Sequence, residues 1–244
     1  MAWAHIQSET FSTVSGSATR TLTPASGFTT GSRVFAGLLY YQNGGDAART
    51  ITSVTDQSDN AITYSQEGVT DRYATDTGMV VFNIRSMPAS VTALKITLSA
   101  SPAFGMNGFI SEFSGLDTGA ADGVNSNSAS ASTSTDAVVS GSATRGSNTA
   151  LTWGVATDSA FNTVPAAGTG FTSGAGANAL RVEYKTAASG SQQTTFTNTH
   201  GSSCNHIAYI FIVPEPAAGG GGSLLTRPRG LVGGMRELLG GMNS

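Results

Sequence analysis

His200, Cys204 and His206 give this 244-residue chain its one metal-like spacing. Imidazole and thiolate are sound zinc ligands, and residues 204 and 206 of an extended strand project to the same face. A closed zinc site needs a fourth donor, and neither a nearby ligand nor a second cysteine supplies it. The same alternation sets Cys204 and His206 in line with Ala208 and Ile210, so the reading is a half-buried strand end. Asp56, Asp59, Asp71 and Asp76 offer the hard oxygens that calcium prefers. They fall in turn contexts, where aspartate bonds its own backbone, and no D-x-D-x-D-G loop is present. Glu112 and Glu183 lie within strand patterns and could face one another as a hydrolase pair, but no feature of the sequence pairs them. G-x-S-x-G, H-E-x-x-H, the P-loop and the dinucleotide fingerprint are all missing. The expectation is a protein without catalysis, metal or cofactor.

Aromatic side chains offer a different chemistry. Tyr40, Tyr41, Tyr64, Tyr73, Trp153 and Phe161 are amphipathic or flat rings of the kind that stack on sugars. Tyr40 and Tyr41 are adjacent on a strand, so one of them must point away from the core. Tyr40, Tyr41, Tyr73 and Trp153 are the candidate glycan-binding residues; the competing reading is that these rings pack the core or its edges.

The most informative segment is the last one. After Gly219 to Gly222 the sequence runs SLLTRPRGLVGGMRELLGGMNS, in which LVGGM recurs seven residues later as LLGGM. Paired glycines each cost a helix about 1 kcal/mol. A handful of Leu and Met side chains cannot offset the entropy of ordering such a segment alone. Yet Leu231, Met235, Leu238 and Met242 stand at offsets that would align on one stripe of a helix. The segment reads as a docking peptide, helical or extended when bound. Its candidate partner-binding residues are Leu224, Leu225, Arg227, Arg229, Leu231, Val232, Met235, Arg236, Leu238, Leu239 and Met242.

These features need a scaffold, and period-two alternation supplies it. Candidate strands are 3–14, 33–42, 50–55, 61–67, 79–85, 91–99, 107–114, 149–157, 179–186, 193–199 and 204–213, separated by turn clusters such as Asn43 to Asp46. About ten strands at this spacing predict an all-β fold, an antiparallel β-sandwich of jelly-roll or Ig-like winding. Strand 204–213 is apolar on both faces, as in a central strand covered on both sides or one that presents a face to a neighbour. Pro214 and Pro216 end its pairing. The predicted organisation is a body over residues 1–216, a Gly-rich linker over 217–222 and a docking tail over 223–244. Gly16-Ser-Ala-Thr-Arg20 recurs as Gly141-Ser-Ala-Thr-Arg145 before a strand each time, which is either a duplication of half a sandwich or a coincidence of composition. Residues 125–136 predict an edge strand or an extended loop.

Charged residues make up only 11% and the net charge is −3, which gives nucleic-acid binding no electrostatic support. The body holds nine basic and 14 acidic residues, while the tail sets Arg227, Arg229 and Arg236 against Glu237 alone. A basic tail on an acidic body suits a partner with an acidic groove. The start MAWAHIQSETF has neither a basic region nor a long apolar run, and no stretch approaches a bilayer span, so neither secretion nor membrane insertion is expected. The lone Cys204 rules out an internal disulfide and suits assembly in a reducing cytoplasm.

Three segments carry a likeness to a known family. Val54-Thr-Asp56-Gln-Ser-Asp59-Asn60-Ala-Ile-Thr-Tyr64 looks like a V-T-D-x-x-G-N-x-Y hairpin, Val80 to Leu98 like the strand pair that follows it, and Ile110-Ser-Glu112-Phe113-Ser114-Gly115-Leu116-Asp117 like an E-Y-S-G-V-D strand end. Together they resemble a β-sandwich domain that recurs in bacterial surface proteins and in tailed-phage virion proteins, over about residues 28–213. Asp59 departs from that pattern, which has glycine there; Asp-Asn can still supply positive φ in a tight turn. The final segment is similar to the Gly-rich C-terminal tails of phage structural proteins. The resemblance implies fold and setting and brings no catalytic residues. The functional expectation is a virion structural protein of a bacteriophage, made in the host cytoplasm: a capsid decoration or a head- or tail-attached fibre subunit, oligomeric, bound to other virion proteins through its tail. The alternative is a carbohydrate-binding module that contacts a host surface.

Overall fold

The computed structural model describes residues 2–43, 46–66, 71–73, 77–131, 137–145, 150–158, 164–177, 179–187, 190–197 and 204–216. Its strands are β1 (Ala4–Val14), β2 (Thr19–Leu22), β3 (Arg33–Tyr41), β4 (Ile51–Asp56), β5 (Asp71–Tyr73), β6 (Thr77–Ile84), β7 (Leu94–Leu98) and β8 (Gly105–Ser114). They continue as β9 (Gly123–Ala131), β10 (Ala137–Val139), β11 (Ala143–Arg145), β12 (Ala150–Asp158), β13 (Thr172–Ala177), β14 (Leu180–Ala187), β15 (Gly190–Gln192), β16 (Thr195–Thr197) and β17 (Cys204–Pro214). Every named strand pairing is antiparallel.

The strands fall into two sets with one topology. In the first, a five-stranded sheet β1-β8-β3-β6-β5 is backed by a three-stranded sheet β2-β7-β4. In the second, a five-stranded sheet β9-β17-β12-β14-β13 is backed by the short ladders β10-β16 and β11-β15. Matching β1 to β9, β3 to β12, β5 to β13, β6 to β14 and β8 to β17 makes the two large sheets identical in order. The pair β10 and β11 takes the place of β2, and β16 and β15 that of β7. The bridge from Ala166 to Thr197 stands where β4 borders β7. First strand pairs with last, second with next to last and third with sixth, which is the winding of a jelly roll. The all-β antiparallel sandwich expected from sequence is present. It comprises two sandwiches rather than one, and 17 described strands rather than about ten.

The large sheets of the two units pack face to face. Trp153 of β12 stacks on Phe35 of β3 with centroids 4.6 Å apart, and Phe109, Phe113, Phe211 and Tyr184 fill in around them. Tyr209 donates its hydroxyl to Met79 O at 3.1 Å, a buried hydrogen bond from β17 to β6 across the seam. At the margins β1 meets β13 and β5 meets β9. Under the strand correspondence each of those contacts is the image of the other, so the packing has the form of an isologous dimer within one chain.

Each large sheet is therefore covered on both faces, and this explains why β3, β6 and β17 are apolar on both sides. All nine residues of β3 are buried. Val34, Ala36, Leu38 and Tyr40 join the core of the first sandwich, while Phe35, Leu39 and Tyr41 join the seam. In β17, Ile207, Tyr209, Phe211 and Val213 face the seam, while Ala208, Ile210 and Ile212 face the short ladders. At Gly37 an added Cβ would overlap Val80 O and the Phe109 ring, so this close approach of strands requires glycine.

Candidate functional site

The corner where the body ends is built by both units. The linker 115–122 leaves β8 and pairs with the end of β17: Asp117 N donates to Pro214 O at 2.9 Å and Asp122 N to Ile212 O at 2.8 Å. Arg33, at the start of β3, is 1% exposed. It donates to Asp117 O at 2.8 Å, Gly119 O at 3.0 Å and Asn83 Oδ1 at 2.8 Å. One buried guanidinium thus ties the linker to the first large sheet, its cost of burial met by three acceptors. Gly115 turns the chain at φ +71, where a Cβ would also approach Ala2 O to 2.8 Å. Trp3 N donates to Glu215 Oε1 at 3.3 Å, so the first strand and the last described residues lie side by side. Residue 215 comes after β17 as residue 115 comes after β8: the C-terminal segment starts where, in the first unit, the linker to the next unit starts.

The two carboxylates singled out from sequence do not face one another. Both are fully buried, and each points into its own sandwich, away from the seam. Glu112 accepts from Gln7 Nε2, Thr29 N and Ser32 Oγ, all at 2.6 Å, and so fixes the turn before β3. Glu183 accepts from Gly168 N at 2.7 Å and Thr195 N at 3.1 Å, joining the segment before β13 to β16. Burial pushes the Glu183 carboxyl up to about 7, against the opposing pull of those two N–H groups and of Lys185. They are structural clasps, with two layers of sheet between them.

The glycan platform expected from sequence does not assemble. Tyr40, Tyr41 and Trp153 are buried, at 0%, 2% and 0% exposure. Adjacent tyrosines turn one ring outward only where one face of the strand meets solvent. In β3 one face meets the first sandwich core and the other meets the seam. The Tyr40 hydroxyl oxygen, moreover, accepts from Arg49 N at 3.0 Å. Tyr73 belongs to β5 by its backbone, but its side chain lies outside the described residues, as does Phe161. Of the four rings that are described, Tyr64 borders a cleft. That cleft, of ≈ 370 Å³, is lined by Thr63, Tyr64, Ser65, Arg85 and Ser86. Ser65 exchanges hydrogen bonds with Asn83 at 2.8 and 2.9 Å, and Tyr64 stands edge-to-face with Phe82 at 5.4 Å. Arg85 brings Nη2 within 3.5 Å of Ser65 Oγ. Arg85 and Ser86 come after β6 without any motif, so no sequence signal marks them.

Of the metal-like trio, His206 is 3% exposed on the Ala208 face of β17; His200 and the Cys204 side chain lie outside the described residues. Asp56 spends its carboxylate on its own turn, accepting from Ser58 N at 2.8 Å, Asn60 N at 2.9 Å and Asn60 Nδ2 at 2.8 Å. Asp59 occupies the glycine-like position of that turn at φ 65. Asp76 lies outside the described residues, and so does the whole predicted docking segment from Leu224 to Met242 together with its linker. Among the described residues no helix is long and apolar enough to cross a membrane. No protein-family model matches this sequence, and no curated protein matches it either.

Proposed function

We propose that this chain is a non-enzymatic structural subunit of a bacteriophage particle, an accessory protein of the head or tail that attaches to other virion proteins through residues 223–244. The observation behind this reading is the contrast between the body and the segment after it. The described strands, both sandwich cores and the seam are built from residues up to Pro214, yet the sequence continues into a regular Leu/Met repeat. An apolar anchor is stabilised by roughly 1.5–3 kcal/mol when fully buried in a partner. Four such anchors with three arginines suit an attachment peptide. The resemblance of three body segments to virion and surface β-sandwiches supports the same setting. The alternative, a carbohydrate-binding module, loses Tyr40, Tyr41 and Trp153 to the interior.

Deleting 218–244 should leave the melting temperature of the body unchanged within experimental error and abolish incorporation into particles. The double substitution L231D/L238D should do the same without shortening the chain. Incorporation that survives both changes would mean that the sandwiches make the interface; a truncated protein without a cooperative melt would mean that the tail belongs to the core.

A further inference from the structure

We propose that His5 is an acid-sensitive latch at the edge of the seam: as a neutral imidazole it fastens the start of β1 to the second unit, and its protonation releases residues 2–8 together with the contact between Trp3 and Glu215. The proposal takes nothing from the tail or from particle attachment. Its basis is a break in the alternation of β1. His5 stands opposite Phe113 and Gln7 opposite Glu112, so Ile6 is the extra residue of a bulge. The bulge turns Ile6 outward at 39% exposure. It lets His5 and Ser8 share the face that meets the second unit, while Gln7 reaches Glu112 inside the first sandwich. On that face the His5 ring stacks on Tyr184 of β14 with centroids 4.6 Å apart and lies 5.3 Å from Phe113. Trp3 meets the same two rings at 6.2 and 5.8 Å, and its backbone N–H is held by Glu215.

The hydrogen bonds here suit the neutral ring. With its proton on Nδ1, the imidazole accepts the Ser8 hydroxyl at Nε2, 2.8 Å away, and Ser8 accepts from the fully buried Ser111 at 2.9 Å. A second proton turns Nε2 into a donor, so Ser8 must turn round and the Ser111 hydroxyl loses its acceptor in the interior. Burial holds the imidazole below its ordinary 6.5, against the opposing pull of a hydrogen bond to the Gln7 backbone. The described charges around the site are turned elsewhere. Glu9 accepts from Ala25 N, Glu112 and Glu183 point into the sandwiches, and Lys185 lies over the Phe171 ring at 4.0 Å. β13 carries no titratable side chain, and Tyr184, raised by burial, stays neutral. Glu215, the carboxylate at this corner, is engaged by the Trp3 N–H. Attraction of the cation to the Tyr184 ring opposes release but does not replace the lost hydration. The latch is therefore closed above 6.5 and opens as pH falls through the lower folded value. Because β1 is the outermost strand of its sheet, its end opens without unpairing β8 from β3, and the centre of the seam keeps its Phe35–Trp153 stack.

The test follows amide hydrogen exchange of the full chain at about pH 7.5 and about pH 5, each rate divided by its intrinsic value, and titrates the His5 ring by NMR. Protection of residues 2–8 should fall several-fold in acid, while residues 79–84 and 207–213 keep theirs. Glu183 titrates over an overlapping range, but its contribution is lost as pH rises and it holds residues 168 and 195, so sign and location separate the two. H5Q keeps an acceptor for Ser8 and never charges, so its protection should be the same at both pH values. Unchanged or rising protection of residues 2–8 in acid would overturn the proposal. So would a His5 ring that titrates at or above 6.5, or an acid loss in H5Q equal to that of the wild type. The wild-type exchange map and ring titration decide the matter even if H5Q fails to fold.

Discussion

Truncating Trp153 to alanine tests whether the two jelly rolls behave as one folding unit. The indole is fully buried at the centre of the seam, 4.6 Å from the Phe35 ring, 5.6 Å from Phe211 and 6.1 Å from Phe109. Removing a buried aromatic of this size costs about 3–5 kcal/mol, the upper part applying where neighbours cannot collapse into the space. Phe35 and Phe109 are held by strand pairing on both sides of β3 and β8, so collapse is restricted and the upper part is expected. For a chain of this length each kcal/mol lowers the melting temperature by about 2–4 °C, so W153A should melt roughly 10–20 °C below the wild type. Scanning calorimetry reads this directly, and comparison of the calorimetric and van't Hoff enthalpies reports cooperativity. The wild type should unfold in one transition, because neither large sheet can shed its partner without exposing the aromatic seam. F82A, which deletes a fully buried ring from the first sandwich core and leaves the seam intact, should lower that entire transition. Two resolved wild-type transitions, with F82A moving only one of them, would refute the reasoning.

Glu183 predicts a pH dependence of stability. Its folded pKa, about 7, lies above the ordinary 4.5, so its contribution is fully present below 4.5 and is lost as pH rises to about 7. The difference is about 3 kcal/mol, so E183Q should gain that amount on the wild type between pH 4 and pH 8 in parallel chemical melts; a stability difference that does not vary with pH would refute it. Thr152 is fully buried on β12 and its hydroxyl has no hydrogen-bond partner among the described residues. T152V keeps the shape and removes the unpaired group, so it should stabilise by about 1 kcal/mol in urea unfolding, and a loss of stability would show that the hydroxyl is paired.

The longer strands were legible because apolar residues recur along them: β1, β3, β4, β6, β7, β8, β12, β14 and β17 lie within two or three residues of their predicted spans. The missed strands are short or polar. β10, β11 and β15 have three residues each, too few for a period to register. By contrast β16 falls within the predicted span 193–199, and β9, GVNSNSASA, is an edge strand, one of the two readings the sequence allows for residues 125–136. Residues 61–67 alternate like a strand, but the described part forms only isolated bridges, at Ala61 and Ser65, as the chain crosses from β4 to β6. The candidate rings failed for a different reason. Periodicity tells which residues share a face but not what covers it, and Tyr41 and Trp153 lie on faces covered by the other unit.

The double burial of β17 follows from the packing of the two units. A single jelly roll of this topology would leave one face of its large sheet bare, and here that face bears Phe35, Leu39, Phe109 and Phe113 in one unit and Trp153, Tyr209 and Phe211 in the other. An exposed patch of that size invites self-association. Covering it with a second copy in the same chain removes the hazard and fixes the pairing at one-to-one, because β1 against β13 and β5 against β9 close the packing on itself. The repeated pentapeptide falls in the second-strand position of each unit, Arg20 in β2 and Arg145 in β11. The matching strand orders extend over a whole sandwich, where the sequence allowed either a duplicated half-sandwich or a coincidence of composition. With the apolar faces spent on each other, Ile6 and Phe104 are the large hydrophobic side chains left exposed among the described residues. Two scattered side chains make no adhesive patch, so under the proposed function durable attachment falls to a segment outside the sandwiches. The Leu/Met repeat beyond residue 222 has the composition for that task.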